Sequence, residues 1–256
     1  MRHLNFLGLD DREALDPQGV NKMTKINDYR DTLRELDDWV PFLRKESGLP
    51  GPRGNLELAY AVAEEGRKQQ FEQLLSFRAE ENTPEVFLVF CGLVGLGKLA
   101  ANEPELFVRL CEYASDPRWR IREAVATGLQ LTGDQDMPLL LKEMKKWSKG
   151  TWYEKRAGAA ALAEPRLLKR PRQVKQVLEI LDKITNSIER AEMAKDESFK
   201  VLRQAMGYCW SVTVAALPES GKPLMEKWSH SDDKDIQWIM REPEKESPGE
   251  NGCGLG

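Results

Sequence analysis

One segment of the chain occurs in two similar copies, and this repetition constrains the fold more than any other feature of the sequence. The copies, ASDPRWRIREAVATGL at 114–129 and WSKGTWYEKRAGAAAL at 147–162, align without a gap at an offset of 33 residues. Trp119 meets Trp152, and a cation recurs three residues later in both copies. A helix start that recurs at this spacing is typical of stacked helical hairpins. The repeat therefore predicts an all-α fold, an α-solenoid of antiparallel helix pairs.

The helical spacing of apolar residues sets the limits of the repeat domain. Apolar residues recur every three or four positions from Ile26 onward, and the glycine-rich end of the chain lacks this pattern. Such an end is too poor in apolar residues to pack. We therefore predict a flexible extension, a helical-repeat domain and a disordered tail, at 1–24, 25–242 and 243–256.

Local signals mark where individual helices begin and end. Thr151 and Glu154 have the spacing of a capping box, in which each side chain accepts a hydrogen bond from the other residue's backbone N–H. Nearer the N-terminus, the pattern predicts one helix that begins near Lys25, kinks at Pro41 and stops at Gly48.

The types and positions of polar residues argue against several kinds of chemistry. The four cysteines lie far apart with no C-x-x-C pair, and the only histidines are His3 and His230. These residues suggest neither a metal site nor a Ser–His–Asp arrangement, so no cofactor or metal is predicted. The N-terminus has no sustained apolar run of the kind found in secretion signals, and we expect a cytoplasmic protein with no membrane association.

Residues 92–98, GLVGLGK, match the G-x-x-x-x-G-K pattern of a phosphate-binding loop. Leu99 stands where that loop has a Ser or Thr for its magnesium ion, and the surrounding strand–loop–helix context is missing. Thr83 and Pro84, in contrast, are a good helix start. We interpret the segment as a buried helix whose glycines allow close packing, with nucleotide binding as the alternative.

Charge is distributed unevenly along the chain. The protein has a net charge of -4, but residues 109–175 carry 15 basic and 8 acidic side chains. The flanking parts, 1–108 and 176–256, carry 13 and 10 basic against 19 and 15 acidic side chains. A positive middle between acidic flanks indicates a polyanionic partner.

Cations within this basic middle are the candidate phosphate contacts. If one cation recurs in successive repeats, it lies along one edge of the stack, as tracking a nucleic-acid backbone requires. The alternative is a solvated face that keeps the protein soluble. Trp119 and Trp152 are either hinge packing or stacking platforms for bases. The candidate contacts in this region are Arg122, Lys142, Lys145, Lys146, Trp152, Lys155, Arg156, Lys169, Arg170 and Arg172.

A helix predicted over 197–216 adds two further candidates. Its apolar residues cover most of its surface, and Arg203, Gly207 and Trp210 fall together on the remaining face. A cation, a gap and an indole one turn apart can receive a nucleobase or a sugar edge. Packing of Trp210 in the rim of the stack is the alternative.

Three segments carry a resemblance to a known family. SGLPGPRGNLELA (47–59), GYCWSV (207–212) and EKWSHSDDKDIQWIMRE (226–242) resemble segments of the HEAT-like DNA alkylation repair proteins. The resemblance implies HEAT-like helix pairs and a concave, basic face that binds duplex DNA. Some members excise alkylated bases and carry a Trp followed four residues later by an Asp. Here Trp210 is followed at that distance by Val214, so the resemblance implies DNA binding without efficient base excision; a protein–protein scaffold is the alternative.

Overall fold

The computed structural model describes residues 22–189 and 195–245, and within these ranges the chain is helical and contains no strand. The predicted all-α class is confirmed. The predicted extension and tail lie almost wholly outside the described residues. The helices are α1 (Lys22–Glu35), α2 (Val40–Lys45), α3 (Leu56–Glu65), α4 (Lys68–Leu75), α5 (Pro84–Leu99), α6 (Leu106–Ala114), α7 (Trp119–Gln135), α8 (Met137–Trp147), α9 (Trp152–Leu162), α10 (Pro171–Glu189), α11 (Glu197–Ala216), α12 (Pro218–Ser229) and α13 (Lys234–Lys245).

The prediction of one kinked helix that begins near Lys25 and stops at Gly48 is wrong, because the chain forms two separate helices in this range. α1 ends at Glu35, and Pro41 lies in the first turn of α2. The first backbone N–H groups of a helix have no intrahelical acceptor, so proline is tolerated at that position. The Asp38 carboxylate accepts a hydrogen bond from the Val40 N–H at 3.0 Å and supports this start. The predicted stop at Gly48 agrees with its φ of +72°.

The chain divides into two compact units, Met1–Glu143 and Met144–Gly256. In the first unit, α5 packs against both α3 and α7, and α1 packs against α3. α4 and α6 pack against this group, α4 on α5 and α6 on both α5 and α7. The apolar run of α5 thereby becomes the core of the unit, with residues 86–97 buried.

The second unit is organised around α11. This helix packs against α9 on one side and α13 on the other, while α10 and α12 also contact it. α9 begins with the predicted capping box, in which Thr151 Oγ1 accepts from the Glu154 N–H at 3.3 Å and Glu154 Oε2 accepts from the Thr151 N–H at 3.0 Å. α9 then buries most of its small side chains.

The glycines of the G-x-x-x-x-G-K segment serve helix packing. A methyl group added at Gly97 would lie 2.3 Å from the backbone of Gly128 in α7, so the two helices touch backbone to backbone at this point. Thr132 Oγ1 donates a hydrogen bond to the Gly97 carbonyl oxygen at 2.5 Å. The segment lies inside α5 and forms no loop, so our interpretation as a buried helix is confirmed.

Candidate functional site

The recurring cation of the two repeat copies binds the turn that precedes its own helix. Arg122 Nη1 donates hydrogen bonds to the carbonyl oxygens of Asp116 and Pro117 at 2.7 and 2.8 Å. Lys155 Nζ donates to the Gly150 carbonyl oxygen at 2.9 Å. Pro117 and Gly150 are 33 residues apart, as are Arg122 and Lys155. The two copies therefore share this local geometry, in which the cation closes the turn before its own helix.

Burial of both cations follows from this role. The side chains of Arg122 and Lys155 are buried. Burial lowers the pKa of Lys155, and the nearby Glu154 carboxylate only partly opposes this effect. A cation enclosed in this way has little surface to offer to a phosphate group, which binds cations through direct contact.

The two equivalent tryptophans lie in different environments. Trp152 is 3% exposed, with the Lys155 ammonium 4.5 Å from its ring centroid and the Phe199 ring edge-on at 5.3 Å. Trp119 is 38% exposed and has the Arg120 guanidinium 4.3 Å from its ring centroid. Trp152 is thus a core residue, whereas Trp119 lies at the surface of the first unit.

The proposed face of α11 is also largely internal. Trp210 has no exposed surface, and its Nε1–H donates to Thr185 Oγ1 at 3.1 Å. Arg203 is half-buried; its Nη1 donates to Asp235 Oδ1 at 2.7 Å and its guanidinium lies 4.6 Å from the Trp238 ring centroid. The Trp210 indole therefore packs in the core and is not available to a base. Arg203 joins α11 to α13.

The twelve candidate residues separate by exposure. Five are buried, namely Arg122, Trp152, Lys155, Arg156 and Trp210. Five are exposed, namely Lys142, Lys146, Lys169, Arg170 and Arg172, and the half-buried ones are Lys145 and Arg203. Lys142 belongs to the first unit and the other exposed candidates to the second.

Two groups of cations in the second unit flank α9 in the chain, one before it and one after it. The first is Lys145, Lys146 and Lys149, at the end of α8 and in the turn that follows; the second is Lys169, Arg170, Arg172 and Lys175, around the start of α10. We call the second group the α10 basic cluster. α9 has 11 residues, so its axis is about 16 Å long.

The α10 basic cluster has an unusual electrostatic setting. It surrounds a helix N-terminus, where the partial positive charge of the backbone makes a cation unfavourable by about 0.3–1 kcal/mol. The first turn of α10 contains no acidic residue, and no ion pair joins the cluster to any residue that the structure describes. The combined field of side chains and backbone is suited to an anion.

Sequence reasoning missed two features of this region. Lys175 completes the α10 basic cluster, and an i, i+3 spacing from Arg172 on an amphipathic helix was the signal for it. Arg120 is buried, with Nη2 donating to the Gly51 carbonyl oxygen at 2.8 Å and to Asn82 Oδ1 at 3.0 Å. Because those acceptors are 69 and 38 residues away in the chain, the local sequence pattern does not predict the burial or the hydrogen bonds of Arg120.

In the described ranges, no group of three or more His, Cys, Asp or Glu side chains is arranged to hold a metal ion. Nor does any described helix have the length and apolar character needed to cross a membrane. Comparison with known proteins finds no matching protein family and no curated protein with significant similarity.

Proposed function

We propose that this protein is a HEAT-like helical-repeat protein whose second unit binds duplex DNA through phosphate contacts, without base excision. Within each unit, alternate helices pack side by side while the intervening helices cover them, and this alternation is typical of stacked helical hairpins. The resemblance of 47–59, 207–212 and 226–242 to DNA alkylation repair proteins supports the same assignment.

The observation that carries the proposal is the α10 basic cluster. Four cations surround a helix N-terminus where the backbone field opposes them, with no carboxylate paired to them among the described residues. An anion would relieve this repulsion, and the spaced phosphates of a nucleic acid would serve several cations together. Lys145, Lys146 and Lys149 precede α9 and the α10 basic cluster follows it, so the second unit carries more cations here than a single phosphate can pair with, which favours a polyanion.

The proposal leaves out excision because the face of α11 that the sequence offers for a base is largely internal. Trp210, the indole that the resemblance would place beside a lesion, is in the core, and Val214 stands where excising relatives carry an Asp. A glycosylase stabilises an oxocarbenium-like sugar, which requires a carboxylate close to the anomeric carbon. We infer binding to the backbone of the duplex only.

The test is the salt dependence of binding to a fluorescent 16-base-pair duplex. If about five phosphates are neutralised, the logarithm of affinity should fall with the logarithm of salt concentration at a slope of about -4.5. Replacing Lys169, Arg170 and Arg172 together by Gln should weaken binding and make that slope shallower by about 2.7.

The matched control removes three exposed cations elsewhere in the same unit. Lys200, Lys222 and Lys234 are exposed on α11, α12 and α13, and their replacement by Gln changes the net charge equally. The control should retain the slope of the unsubstituted protein. Equal effects of both triple variants would mean that duplex binding depends on net charge alone. Absence of duplex binding at low salt would favour a protein-binding scaffold.

Excision is tested separately, by incubating the protein with duplex DNA that contains alkylated purines. We expect retention of the duplex and base release no faster than in buffer. Release well above the spontaneous rate would contradict the binding-only part of the proposal and would require a carboxylate site elsewhere in the chain.

A further inference from the structure

Trp119 is an aromatic side chain that the fold leaves open to solvent. It is 38% exposed, and no other aromatic ring packs on it within the described part of the chain. It occupies the first position of α7, directly after the exposed Pro117 and the half-buried Arg118. Tryptophans are highly buried on average, and they are frequent among the residues that dominate protein–protein binding energy.

The indole of Trp119 is held in place from one side. The Arg120 guanidinium 4.3 Å from its ring centroid is buried and is fixed by Gly51, Asn82 and the Glu81 carboxylate, the last at 3.4 Å. A side chain that is already ordered loses little conformational entropy when a ligand binds. Trp119 is therefore a preorganised platform.

The same contact limits what can bind on the platform. The Arg120 guanidinium already makes a cation–π contact with one face of the ring. A second cation on the opposite face would lie within about 8 Å of Arg120. At an effective dielectric constant of 20, the repulsion from an unpaired Arg120 would be about 2 kcal/mol, and the Glu81 carboxylate beside Arg120 removes part of it. Lysine side chains and quaternary ammonium groups are thereby disfavoured, and neutral groups are favoured.

Charge also disfavours a nucleic acid at Trp119. Arg118 is paired with the Asp116 carboxylate at 2.7 Å and Arg120 with Glu81, so each cation next to the indole already has a carboxylate partner. Residues 1–143 carry 18 basic and 25 acidic side chains, a net charge of -7, whereas residues 144–256 carry 20 and 17, a net charge of +3. A phosphate backbone is repelled by the unit that holds Trp119 and attracted by the other.

The second copy of the repeat shows which group suits such an indole. Trp152 is packed edge-on by Phe199, which lies in the first turn of α11. Edge-to-face aromatic pairs at this separation contribute beyond the apolar area that they bury. The chain thus packs a phenylalanine from the start of a helix on one of two equivalent indoles, and no aromatic ring of the described residues packs on the other.

We propose that Trp119 is the anchor of a protein-docking surface, and that the partner places an aromatic side chain on the exposed indole as Phe199 does on Trp152. The contact is distinct from the proposed duplex-binding groups, which belong to the second unit. It assigns the chain a protein partner in addition to a nucleic acid.

The probe is a synthetic peptide with the sequence of residues 195–206, which carries Phe199, and its matched control is the same peptide with Phe199→Ala. Binding to the full chain is followed by the NMR signals of the indole N–H groups, with Trp119 assigned by its loss in Trp119→Ala. We expect a saturable shift of the Trp119 signal and at least tenfold weaker binding of the control peptide. In peptide-observed saturation transfer, Trp119→Ala should lose binding and Trp119→Phe should retain part of it.

Three results would overturn the proposal. The first is no shift of the Trp119 signal with the Phe199 peptide, and the second is equal shifts with both peptides. The third is a shift with a single-stranded oligothymidylate and not with the peptide, which would make Trp119 a base-stacking platform. Met23→Ala, which truncates an exposed apolar side chain on α1, should leave peptide binding unchanged. Duplex binding by Trp119→Ala should match the unsubstituted protein, so this test and the duplex test fail independently.

Discussion

Trp119 and Trp152 stand at equivalent positions of one repeated segment, yet the first is 38% exposed and the second 3%. Both begin a helix, both have a cation near the ring, and in both copies the cation three residues later binds the preceding turn. The copies differ in what packs on the indole, since Phe199 packs on Trp152 and no ring in the described ranges packs on Trp119. The repeat fixes local geometry, and the neighbouring helices decide burial.

The difference also separates the two proposed binding surfaces. In the first copy Arg118 and Arg120 are paired with carboxylates and the copy belongs to an acidic unit, while the second copy is flanked by exposed lysines and arginines. A protein partner suits the first environment and a polyanion suits the second. Substitutions at equivalent positions of the two copies test this comparison directly.

The largest expected difference is between the two tryptophans. Trp152→Ala should lower the free energy of unfolding by about 3–5 kcal/mol, because it leaves a large cavity next to Phe199. Trp119→Ala should cost less than about 1 kcal/mol, the scale of an exposed cation–π contact. Urea unfolding followed by circular dichroism checks both. Similar losses would mean that Trp119 is a core residue in solution.

A second contrast lies at the helix crossings, where Gly128 of the first copy corresponds to Ala161 of the second. A methyl group at Gly128 would lie 2.8 Å from the Leu93 carbonyl oxygen and 3.1 Å from Gly97 Cα, so Gly128→Ala should destabilise the protein by about 3 kcal/mol. The reciprocal Ala161→Gly should cost about 1 kcal/mol through helix propensity. The midpoint of urea unfolding measures both, and a neutral Gly128→Ala would contradict the close approach of α5 and α7.

The third comparison concerns the turn-closing cations. Arg122→Met and Lys155→Met keep much of the aliphatic volume but remove the hydrogen bonds to the preceding turn. Each should cost about 1.5 kcal/mol, since a charged donor is lost and the carbonyl acceptors remain. Thermal unfolding provides the measurement, and neither variant should change the salt slope of duplex binding. A shallower slope in either variant would return that cation to the duplex-binding surface.

Much of the helical architecture was predictable because it depends on short-range signals. The capping box of Thr151 and Glu154, the start of α5 at Pro84 and the apolar periodicity all act within a few residues of chain. The break between α1 and α2 was missed because Pro41 is compatible with both a kink and a helix start. Only the positions of flanking residues such as Asp38 distinguish the two.

The candidate site was less predictable because exposure depends on distant contacts. Lys155 and Lys169 look alike in sequence, yet one closes a turn in the interior and the other lies at the surface. The sequence pattern predicts Trp210 on a free face of α11, although Thr185, 25 residues earlier, supplies its hydrogen-bond acceptor. Charge along the chain shows where cations are concentrated but not which of them reach solvent.

The smallest expected effect is a difference between the two copies in how folding stability depends on pH. Burial raises the pKa of Asp116, but hydrogen bonds from the Arg118 side chain and backbone outweigh it and hold that pKa below the ordinary 3.8. This carboxylate stabilises the fold above pH 3.8, and the contribution is lost as the pH falls through the lowered pKa. Position 149, its equivalent in the second copy, is a lysine. The stability difference between the unsubstituted protein and Asp116→Asn should therefore shrink in acid.

Lys155 produces the opposite trend at the alkaline end. Burial lowers its pKa below the ordinary 10.5, so between these two values the unfolded chain binds more protons than the folded one. Stability from this group should rise with pH across that window and level off above 10.5. Urea midpoints measured from pH 7 to 11 should show this rise in the unsubstituted protein and a smaller one in Lys155→Met. Parallel curves for the two proteins would mean that Lys155 is solvated. The two copies would then differ only in the exposure of Trp119 and Trp152.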